Sequence, residues 1–441
     1  MDGGGRLVPR FGELLKAQRE RIGLTQQGLA DHATLSVRAL RDMEAGRVRR
    51  PRHETVRLIA DALRLEGRTR AAFEAAARQR EFEAEPVAPP TAHTALVGRE
   101  AETEALTRAL TEHGDRLVSL VGLSGVGKSR LALEVAWRIY LGASWSVHWV
   151  ACDERRSAGR PAHSGALRAL TPCGRFDGLA EQVGDRPALL VLDGADDGVE
   201  AAALDELLRG CRELRVLVTA RTPRGLTGEQ VVPLAPLPTP APGPEHTPQA
   251  LSESAAVRLL ASRLRRLRPG YAPLPEDAPV LAELCRYLDG LPRALEYVAG
   301  WSLVQSPRQI LRQLTDTPFT LPAPPVVPRP RGDVHQSLRT ALGELTPHQL
   351  LVLDQLTAEE GDRSVEEIAA ESGRPLPECL QTVHELLCRG VIRSVAADDG
   401  VRFAALNLFR VLWREARDTR RPDGAGEPAA AGLPVLEALA R

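Results

Sequence analysis

Eight consecutive residues constrain this chain more than any other feature of its sequence. Gly122-Leu-Ser-Gly-Val-Gly-Lys128-Ser129 matches the pattern GxxxxGK[ST] without a mismatch, between a predicted strand (116–123) and a predicted helix (130–140). Glycines let such a loop curl so that its backbone N–H groups face phosphate oxygens, and the helix adds its positive N-terminal end. The sequence therefore predicts a phosphate-binding loop, or P-loop, at the end of a strand.

The lysine in this loop is rare in the chain, since only Lys16 and Lys128 are lysine among 57 basic residues. A compact ammonium suits the interior of such a loop better than a broad guanidinium does. We expect Lys128 to reach the β- and γ-phosphates of a nucleotide, and Ser129 to ligate Mg²⁺. The nucleotide-binding residues expected from this motif are Gly122, Gly125, Gly127, Lys128, Ser129 and Arg130.

Two further polar residues follow predicted strands of the same sheet. Asp193 ends the apolar run 188–193, as a second Mg²⁺ ligand should, and Arg221 follows the run 215–220. The carboxyl ends of parallel strands form the edge at which α/β folds bind ligands. Taken alone, each could be an ordinary strand-end or loop residue. The neighbouring P-loop is what supports a functional role for them.

The composition is that of a globular protein with several domains. The chain has 441 residues, of which 43% are hydrophobic and 26% charged, which predicts two to four domains and excludes wholesale disorder. No apolar run approaches the roughly 18 residues of a membrane helix, and the N-terminus lacks the apolar core of a signal peptide, so we expect a cytoplasmic protein with no membrane partner. The six cysteines form no CxxC, which favours buried thiols over a zinc site or disulfides.

The charge is distributed unevenly along the chain. Residues 1–80 carry seven more basic than acidic side chains, and the remainder carries eight more acidic than basic ones. A basic head on an acidic body suggests that the head binds a polyanion, although chance placement of surface charge gives the same count.

Residues 23–46 predict two short helices joined by a tight turn. Thr25 and Ser36 are suited to cap their N-termini. The apolar positions expected on the inner face are Leu29, Leu35, Leu40 and Met43.

The second of these helices presents two arginines on one face. Arg38, Arg41 and Asp42 lie three and four residues apart, so a helix in the major groove would offer both guanidiniums to base edges. The arginines of the following segment, 47–52, suit phosphates. A helical bundle with a solvated arginine face is the alternative.

Over residues 11–75 this pattern resembles the Cro/repressor-type (XRE) helix-turn-helix family, which binds double-stranded DNA at operators. The resemblance implies that Gln26 binds phosphate and that Val37, Arg38 and Asp42 face bases. The expected DNA-binding residues are Gln26, Ser36, Val37, Arg38, Arg41, Asp42, Arg47, Arg49, Arg50 and Arg52.

Over residues 95–417 the chain resembles the NB-ARC/STAND signalling NTPases, with five motifs in the family's order. These are Val97-Gly98-Arg99-Glu100, the P-loop, Asp193, the stretch 218–223 with Arg221, and Gly290-Leu-Pro292. The resemblance implies ATP or ADP with Mg²⁺, sheet order 5-1-4-3-2 and a terminal winged helix. It also implies that Val97, Gly98 and Arg99 line the adenine pocket, that Arg221 touches the γ-phosphate and that Pro292 packs on adenine.

Two departures from that family concern catalysis and switching. Gly194 stands where many relatives have a second acid that serves as base, so Asp196 or Asp197 would have to substitute, and we expect at most a slow ATPase. Ala405-Leu406-Asn407 stands where relatives have a Met-His-Asp-like motif that holds the resting nucleotide, so the histidine contact is absent.

The predicted fold is multidomain: an all-α helix-turn-helix head, an α/β P-loop NTPase with a parallel sheet, a helical lid and a winged helix. Proline-rich stretches mark the connections. The predicted domains are a DNA-binding head (1–80), a linker (81–95), an NTPase core (96–236), an ARC-like helical domain (237–314), a proline-rich linker (315–333), a winged helix (334–417) and a tail (418–441).

The helix predicted at 376–389 occupies the position at which winged helices contact DNA. It carries Glu378 and Glu385 against Arg389, so its face is not basic, and we favour a packing and switching role over DNA binding.

These features predict a nucleotide-regulated, sequence-specific DNA-binding transcriptional regulator in which ATP and ADP act as a conformational switch. The first alternative is a STAND-type signalling ATPase whose turnover matters, with the head serving autoregulation or defence. The second is a DNA-binding scaffold with a degenerate nucleotide site. Homo-oligomerisation is compatible with each of them.

Overall fold

The computed structural model describes residues 11–45, 53–78, 86–92, 94–152, 179–183, 186–196, 199–241, 251, 253–270, 277–319, 324, 334–358, 361–397 and 400–418. The chain divides into two compact units, Met1–Glu85 and Pro86–Arg441. Several residues named above lie outside the described residues, namely Arg47, Arg49, Arg50, Arg52, Asp197 and the predicted tail beyond residue 418.

The described part of the first unit is helical, and side-chain hydroxyls cap two of its helices. Thr25 Oγ1 accepts a hydrogen bond from Gly28 N at 3.0 Å, and Ser36 Oγ accepts one from Ala39 N at 3.1 Å. Both predicted N-caps are therefore confirmed; such hydroxyls serve N–H groups that a helix leaves unpaired. The helices are α1 (Phe11–Arg21), α2 (Gln26–His32), α3 (Val37–Glu44), α4 (His53–Ala62) and α5 (Gly67–Arg78).

The predicted inner face of α2 and α3 packs into one core. Leu29, Leu40 and Met43 are buried, whereas Leu35 is half-buried against them. Burying a side chain of this size contributes about 1.5–3 kcal/mol. Because one face of α3 is buried in this core, the opposite face of α3 is exposed to solvent.

The second unit is built on a five-stranded parallel sheet in the order β5-β1-β4-β3-β2. This is the order that the family resemblance implies. Every residue of β1 and of β3 is buried, as expected for strands covered on both faces. The strands are β1 (Leu117–Val121), β2 (Ser146–Ala151), β3 (Ala188–Asp193), β4 (Leu214–Ala220) and β5 (Glu229–Pro233). The helices of this part are α6 (Glu100–Thr111), α7 (Lys128–Ala143), α8 (Leu179–Val183) and α9 (Ala201–Gly210).

Part of the predicted linker 81–95 is fastened to this sheet. Val147 N donates to Val87 O at 2.8 Å, and Trp137 Nε1 donates to Pro90 O at 2.8 Å. Val87 and Pro90 therefore fasten this segment to β2 and α7 of the α/β part.

A helical part follows the sheet. Val257, Leu260 and Leu264 are buried and Leu267 is half-buried, so apolar residues three or four apart form the inner face of its first helix. Its helices are α10 (Ala255–Leu267), α11 (Ala278–Tyr287), α12 (Pro292–Trp301) and α13 (Pro307–Asp316).

The described residues of the last part form four helices, an antiparallel hairpin and a final helix. The buried Trp413 donates from Nε1 to Asp354 Oδ1 at 2.7 Å and so joins the last helix to an earlier one. Its elements are α14 (Val334–Gly343), α15 (Pro347–Ala358), α16 (Val365–Ser372), α17 (Leu376–Arg389), β6 (Ile392–Ala397), β7 (Gly400–Ala405) and α18 (Asn407–Asp418). Within the described residues, no helix combines the length and the apolarity needed to cross a bilayer.

Candidate functional site

The P-loop connects β1 to α7 and curls through glycines with positive φ. Gly122 has φ 138° and Gly125 has φ 86°, conformations that side chains rarely adopt. A Cβ on Gly122 would also lie 2.8 Å from Leu234 O. Any other residue at Gly122 would therefore strain both the loop and the sheet edge beside it.

Lys128, the first residue of α7, is half-buried, and its ammonium lies inside this loop. Its Nζ donates to Gly122 O at 2.6 Å and to Leu123 O at 3.1 Å. Burial lowers its pKa to about 8; Asp196 and Asp193 oppose this shift, and Arg221 and Arg293 add to it. These four charged residues therefore lie close enough to act on the ammonium.

Asp193 is held at the carboxyl end of β3 by the neighbouring strand. Thr219 Oγ1 donates to Asp193 Oδ1 at 2.8 Å, and Gly194 N donates to Thr219 Oγ1 at 2.8 Å. The register pairs Asp193 with Thr219, so the hydroxyl orients a buried carboxylate at the sheet edge.

Asp196, the candidate base, is engaged by Arg221. Its Oδ1 accepts from Arg221 N at 2.5 Å, and its Oδ2 lies 3.3 Å from Arg221 Nε. Burial lowers the pKa of Arg221, but Asp196 and Glu344 outweigh it, and the pKa lies above its usual value. The carboxylate of Asp196 is therefore already engaged by Arg221.

The residues before α6 contact the start of the helical part. Gly98 has φ 68°, and a Cβ there would lie 2.3 Å from Ala255 Cβ. Arg99 is buried and donates to Glu102 Oε1 at 2.7 Å and to Ala235 O at 2.5 Å. Its guanidinium therefore fastens the segment after β5 to α6. Val97 is half-buried against the core.

Pro292 begins α12, and the residue after it reaches the P-loop. Arg293 N donates to Gly125 O at 3.3 Å. A Cβ on Gly125 would lie 2.8 Å from Arg293 Cβ. Sequence reasoning missed Arg293, whose one signal is its place directly after Pro292. Arg130 in turn donates to Thr94 O at 2.7 Å.

These residues fit a nucleotide with Mg²⁺. The loop offers backbone N–H groups and a buried ammonium to phosphates. Ser129 on α7 and Asp193 on β3 are oxygen donors of the kind that Mg²⁺ uses alongside substrate phosphates.

Asn407 of the stretch 405–407 contacts the helical part. Asp289 Oδ1 accepts from Asn407 N at 2.9 Å and Oδ2 accepts from Leu408 N at 2.8 Å, while Asn407 Nδ2 donates to Tyr287 O at 2.8 Å. Burial raises the pKa of Asp289 to about 6, against the lowering effect of those two backbone bonds. The Asp289 carboxylate therefore caps the start of α18. Because Asp289 lies three residues before Pro292, it joins the last part to the segment predicted to contact adenine.

In the first unit, α3 presents the predicted reading face. Arg38 is exposed, and the exposed Arg41 donates from Nε to Gln26 Oε1 at 3.2 Å. Gln26 in turn donates from Nε2 to Glu44 Oε2 at 2.7 Å. Ser36 is exposed, and Val37 and Asp42 are half-buried. The structure therefore brings Gln26 and Arg41 together and leaves Arg38 open to a ligand.

A buried ion pair behind this face was missed from the sequence. Arg19 Nε donates to Glu44 Oε1 at 2.6 Å and so ties α1 to α3. Burial raises the pKa of Glu44, but hydrogen bonds from Arg19 and Gln26 hold it below its usual value.

Both glutamates noted on α17 are engaged by neighbouring side chains. Arg374 pairs with Glu378 at 3.1 Å, and Gln349 Nε2 donates to Glu385 Oε2 at 2.7 Å. Arg389 instead lies 3.8 Å from Glu344.

Fold and site together define a P-loop α/β protein that also carries a helix-turn-helix. Residues 10–73 match the model of a helix-turn-helix domain, and residues 95–392 match that of an AAA ATPase domain. The chain therefore belongs to the AAA ATPase domain family, with a helix-turn-helix domain at its N-terminus. Membership implies nucleotide binding, usually with Mg²⁺.

Curated relatives come from mycobacteria. "Uncharacterized protein Rv0894" of Mycobacterium tuberculosis strain H37Rv is 33% identical over 236 residues, 51% of this chain and 54% of that protein. "Putative HTH-type transcriptional regulator Rv0890c" of the same strain is 32% identical over 213 residues, 46% of this chain and 22% of that protein. The match thus spans about half of the first relative and about a fifth of the second.

The solved structures that match are more distant. A STAND protein with a tetratricopeptide repeat sensor from Pyrococcus horikoshii is 14% identical, with a TM-score of 0.28, and the match covers 76% of this chain and 47% of that one. AMPPCP-bound DnaA from Aquifex aeolicus is 14% identical, with a TM-score of 0.32, over 66% and 89% of the two chains. At these TM-scores neither structure informs the function.

Proposed function

We propose that this chain is a nucleotide-regulated, sequence-specific DNA-binding transcriptional regulator, with ATP and ADP as the two states of a switch. One observation carries the proposal: a helix-turn-helix that exposes Arg38 and Arg41 belongs to the same chain as a P-loop whose lysine, Lys128, donates into the loop. Access to the chromosome implies a cytoplasmic location, and a two-fold symmetric operator would require a second copy of the chain.

The nucleotide half of the proposal assigns roles around the P-loop. Lys128 binds the β- and γ-phosphates, Ser129 and Asp193 hold Mg²⁺, and Arg221 senses the γ-phosphate. Bound Mg²⁺ supplies charge neutralisation between the phosphates. The nucleotide-binding residues assigned are Val97, Gly98, Arg99, Gly122, Gly125, Gly127, Lys128, Ser129, Arg130, Arg221 and Pro292.

The proposed role of Arg99 is indirect. Because its guanidinium is bonded to Ala235 O and Glu102, it would shape the adenine side by fixing the segment after β5. Pro292 at the start of α12 would pack on the base, with Arg293 against the P-loop.

The DNA half assigns base reading to α3, in the XRE manner. Arg38 extends into solvent, and Gln26 orients Arg41 through their hydrogen bond. An oriented guanidinium suits bidentate contact with guanine. The segment 47–52 would bind phosphates and set the register of the head on the duplex.

We assign the last part, residues 334–417, as a winged helix of the NB-ARC kind with a packing role. Glu378 pairs with Arg374 and Glu385 accepts from Gln349, so these positions of α17 offer no basic face to DNA phosphates. Its C-terminal end, Gly390, instead lies beside the P-loop.

Because Asp196 is bonded to Arg221, we favour a nucleotide switch over an enzyme in which turnover matters. A carboxylate that holds Arg221 through two contacts is poorly placed to orient water as well.

The proposal is tested with the full chain. Duplexes selected from a random pool should yield a consensus site, and a fluorescent ADP analogue should bind the same preparation with Mg²⁺. Equal affinity for the selected and scrambled duplexes, or no nucleotide binding, would contradict it.

A further inference from the structure

The helical part and the last part enclose an apolar cavity between them. Its walls come from the end of α11, from α12, from residues 314–319 and from the starts of α14 and α18. Among the described residues that line it, none belongs to the P-loop (122–129) or to the predicted adenine segment (97–99). The cavity is therefore separate from the candidate nucleotide site.

Aromatic side chains reach this cavity from several segments. Tyr287 ends α11 and Tyr297 lies on α12, and both line the space. The rings of Phe319 and His335 also line it, and they stack on each other with centroids 4.7 Å apart and planes 18° apart. Aromatic rings favour a further ring in offset or edge-on contact, so this lining suits an aromatic ligand.

The lining offers nothing that would neutralise a charge. None of the described residues that line the cavity is Asp, Glu, Lys or Arg. The Tyr287 hydroxyl donates to Leu314 O at 2.6 Å, and burial, with a contribution from Glu415, raises the pKa of this hydroxyl to about 12, which keeps it neutral. A charged ligand would lose its hydration here without gaining a partner of opposite charge, so the ligand should be uncharged.

The size of the cavity suits a molecule with one ring. The centres of water-sized molecules can occupy about 50 Å³ inside it, which is room for about four waters. Waters among apolar walls find few hydrogen-bond partners, and an apolar cavity of comparable size can bind benzene. An apolar ring would therefore displace such waters favourably.

We propose that this cavity binds a small, uncharged aromatic molecule, whose binding fastens the helical part to the last part. The site goes beyond the proposed function, because it is separate from both the nucleotide and the DNA. A ligand in it would contact Tyr297 on α12 and Leu408 on α18. Leu408 N also donates to Asp289 Oδ2 at 2.8 Å, so the ligand would lie beside an existing contact between the two parts. A ligand that binds only the packed arrangement stabilises it.

The first test titrates the full chain with benzyl alcohol and with benzoate, which carries the same ring with a negative charge. By calorimetry, benzyl alcohol should bind saturably at one site, and benzoate at least tenfold more weakly because its charge must be desolvated. Benzyl alcohol in about tenfold excess over its dissociation constant should raise the melting temperature by about 2–4 °C.

The second test removes one ring of the lining. Phe319→Leu keeps an apolar side chain but loses the ring, and should weaken benzyl alcohol binding about three- to tenfold. Phe403→Leu is the matched control, since Phe403 lies on β7 and is not among the described residues that line the cavity. Its affinity for benzyl alcohol should stay within about twofold of wild type.

A third readout uses wild-type protein and does not depend on a variant that folds. Benzyl alcohol should slow amide hydrogen exchange in residues 314–319 and 334–338, with little change in β6 and β7.

The absence of saturable binding, equal affinity for benzoate, unchanged affinity in Phe319→Leu, or unchanged exchange in residues 314–319 and 334–338 would each overturn the proposal. Protection of the P-loop instead would place the ligand at the nucleotide site and would also overturn it. The proposed function does not depend on these results, because nucleotide and DNA binding are measured without the aromatic ligand.

Discussion

The side chain of Lys128 lies in a site that is prepared for an anion. Its ammonium is buried, it donates to two carbonyls of its own loop, and its pKa is lowered to about 8. Phosphate oxygens would replace those carbonyl contacts with charged ones and favour the protonated form.

Lys128→Ala should weaken ADP and ATP-analogue binding at least tenfold, because a charged hydrogen bond contributes about 1.5–3 kcal/mol. Lys128→Arg should also weaken it, since the broader guanidinium crowds the loop. Lys16→Ala changes the other lysine of the chain, far from the P-loop in sequence, and should leave nucleotide affinity unchanged. Titration calorimetry measures all three, and wild-type affinity in Lys128→Ala would refute the assignment.

Nucleotide binding should take up a proton under mildly alkaline conditions. The pKa of Lys128 in the folded protein lies at about 8, below the ordinary value of 10.5, so the side chain loses its proton as pH rises through 8. A bound phosphate raises that pKa again, so uptake approaches one proton between about pH 8 and 10 and vanishes near pH 6.5. Calorimetry at pH 8.5 in two buffers of different ionisation enthalpy measures the uptake. Identical enthalpies in both buffers would contradict it.

Hydrolysis should be slow, because Gly194 provides no base and Asp196 is occupied by Arg221. A positioned base contributes roughly 10²–10⁴-fold. We expect a turnover number well below about 1 s⁻¹, the low end of ordinary enzymes. Phosphate release under multiple-turnover conditions measures it, and a faster rate would mean that Asp196 leaves Arg221 to act as base.

At the scale of elements, local patterns in the sequence predict most of the fold. Helix α17 spans Leu376–Arg389, as its pattern predicts, because periodicity and a following glycine mark helices well. The sheet order follows from the family resemblance. Contacts between distant residues are different: Arg221 pairs with Glu344 across 123 positions, and Arg19 pairs with Glu44 across 25. No period or motif signals such pairs, because packing of whole elements creates them.

Helix α3 should read bases, and the segment after it should bind phosphates. Arg38→Ala should cost about 1–3 kcal/mol on the selected site and much less on random DNA, since a base contact is lost. Arg50→Ala should weaken both equally and flatten the salt dependence. Fluorescence anisotropy on both duplexes at several salt concentrations distinguishes the two. Equal losses for Arg38→Ala on cognate and random DNA would remove its base-reading role.

At the scale of the molecule, the chain joins a helix-turn-helix unit, Met1–Glu85, to a P-loop unit, Pro86–Arg441. A switch requires that the nucleotide in one unit changes the DNA affinity of the other. Linkage makes this coupling reciprocal, so operator DNA should change nucleotide affinity by the same factor.

The central claim is tested most directly by titrating the selected operator with wild type and Lys128→Ala, each with ADP, with a non-hydrolysable ATP analogue or without nucleotide. We predict that wild-type operator affinity differs at least fivefold between ADP and the analogue, consistent with coupling of about 1 kcal/mol or more. Nucleotide should change the operator affinity of Lys128→Ala much less than that of wild type, at a nucleotide concentration close to the wild-type dissociation constant. Operator affinity in wild type that is independent of the nucleotide would contradict the switch.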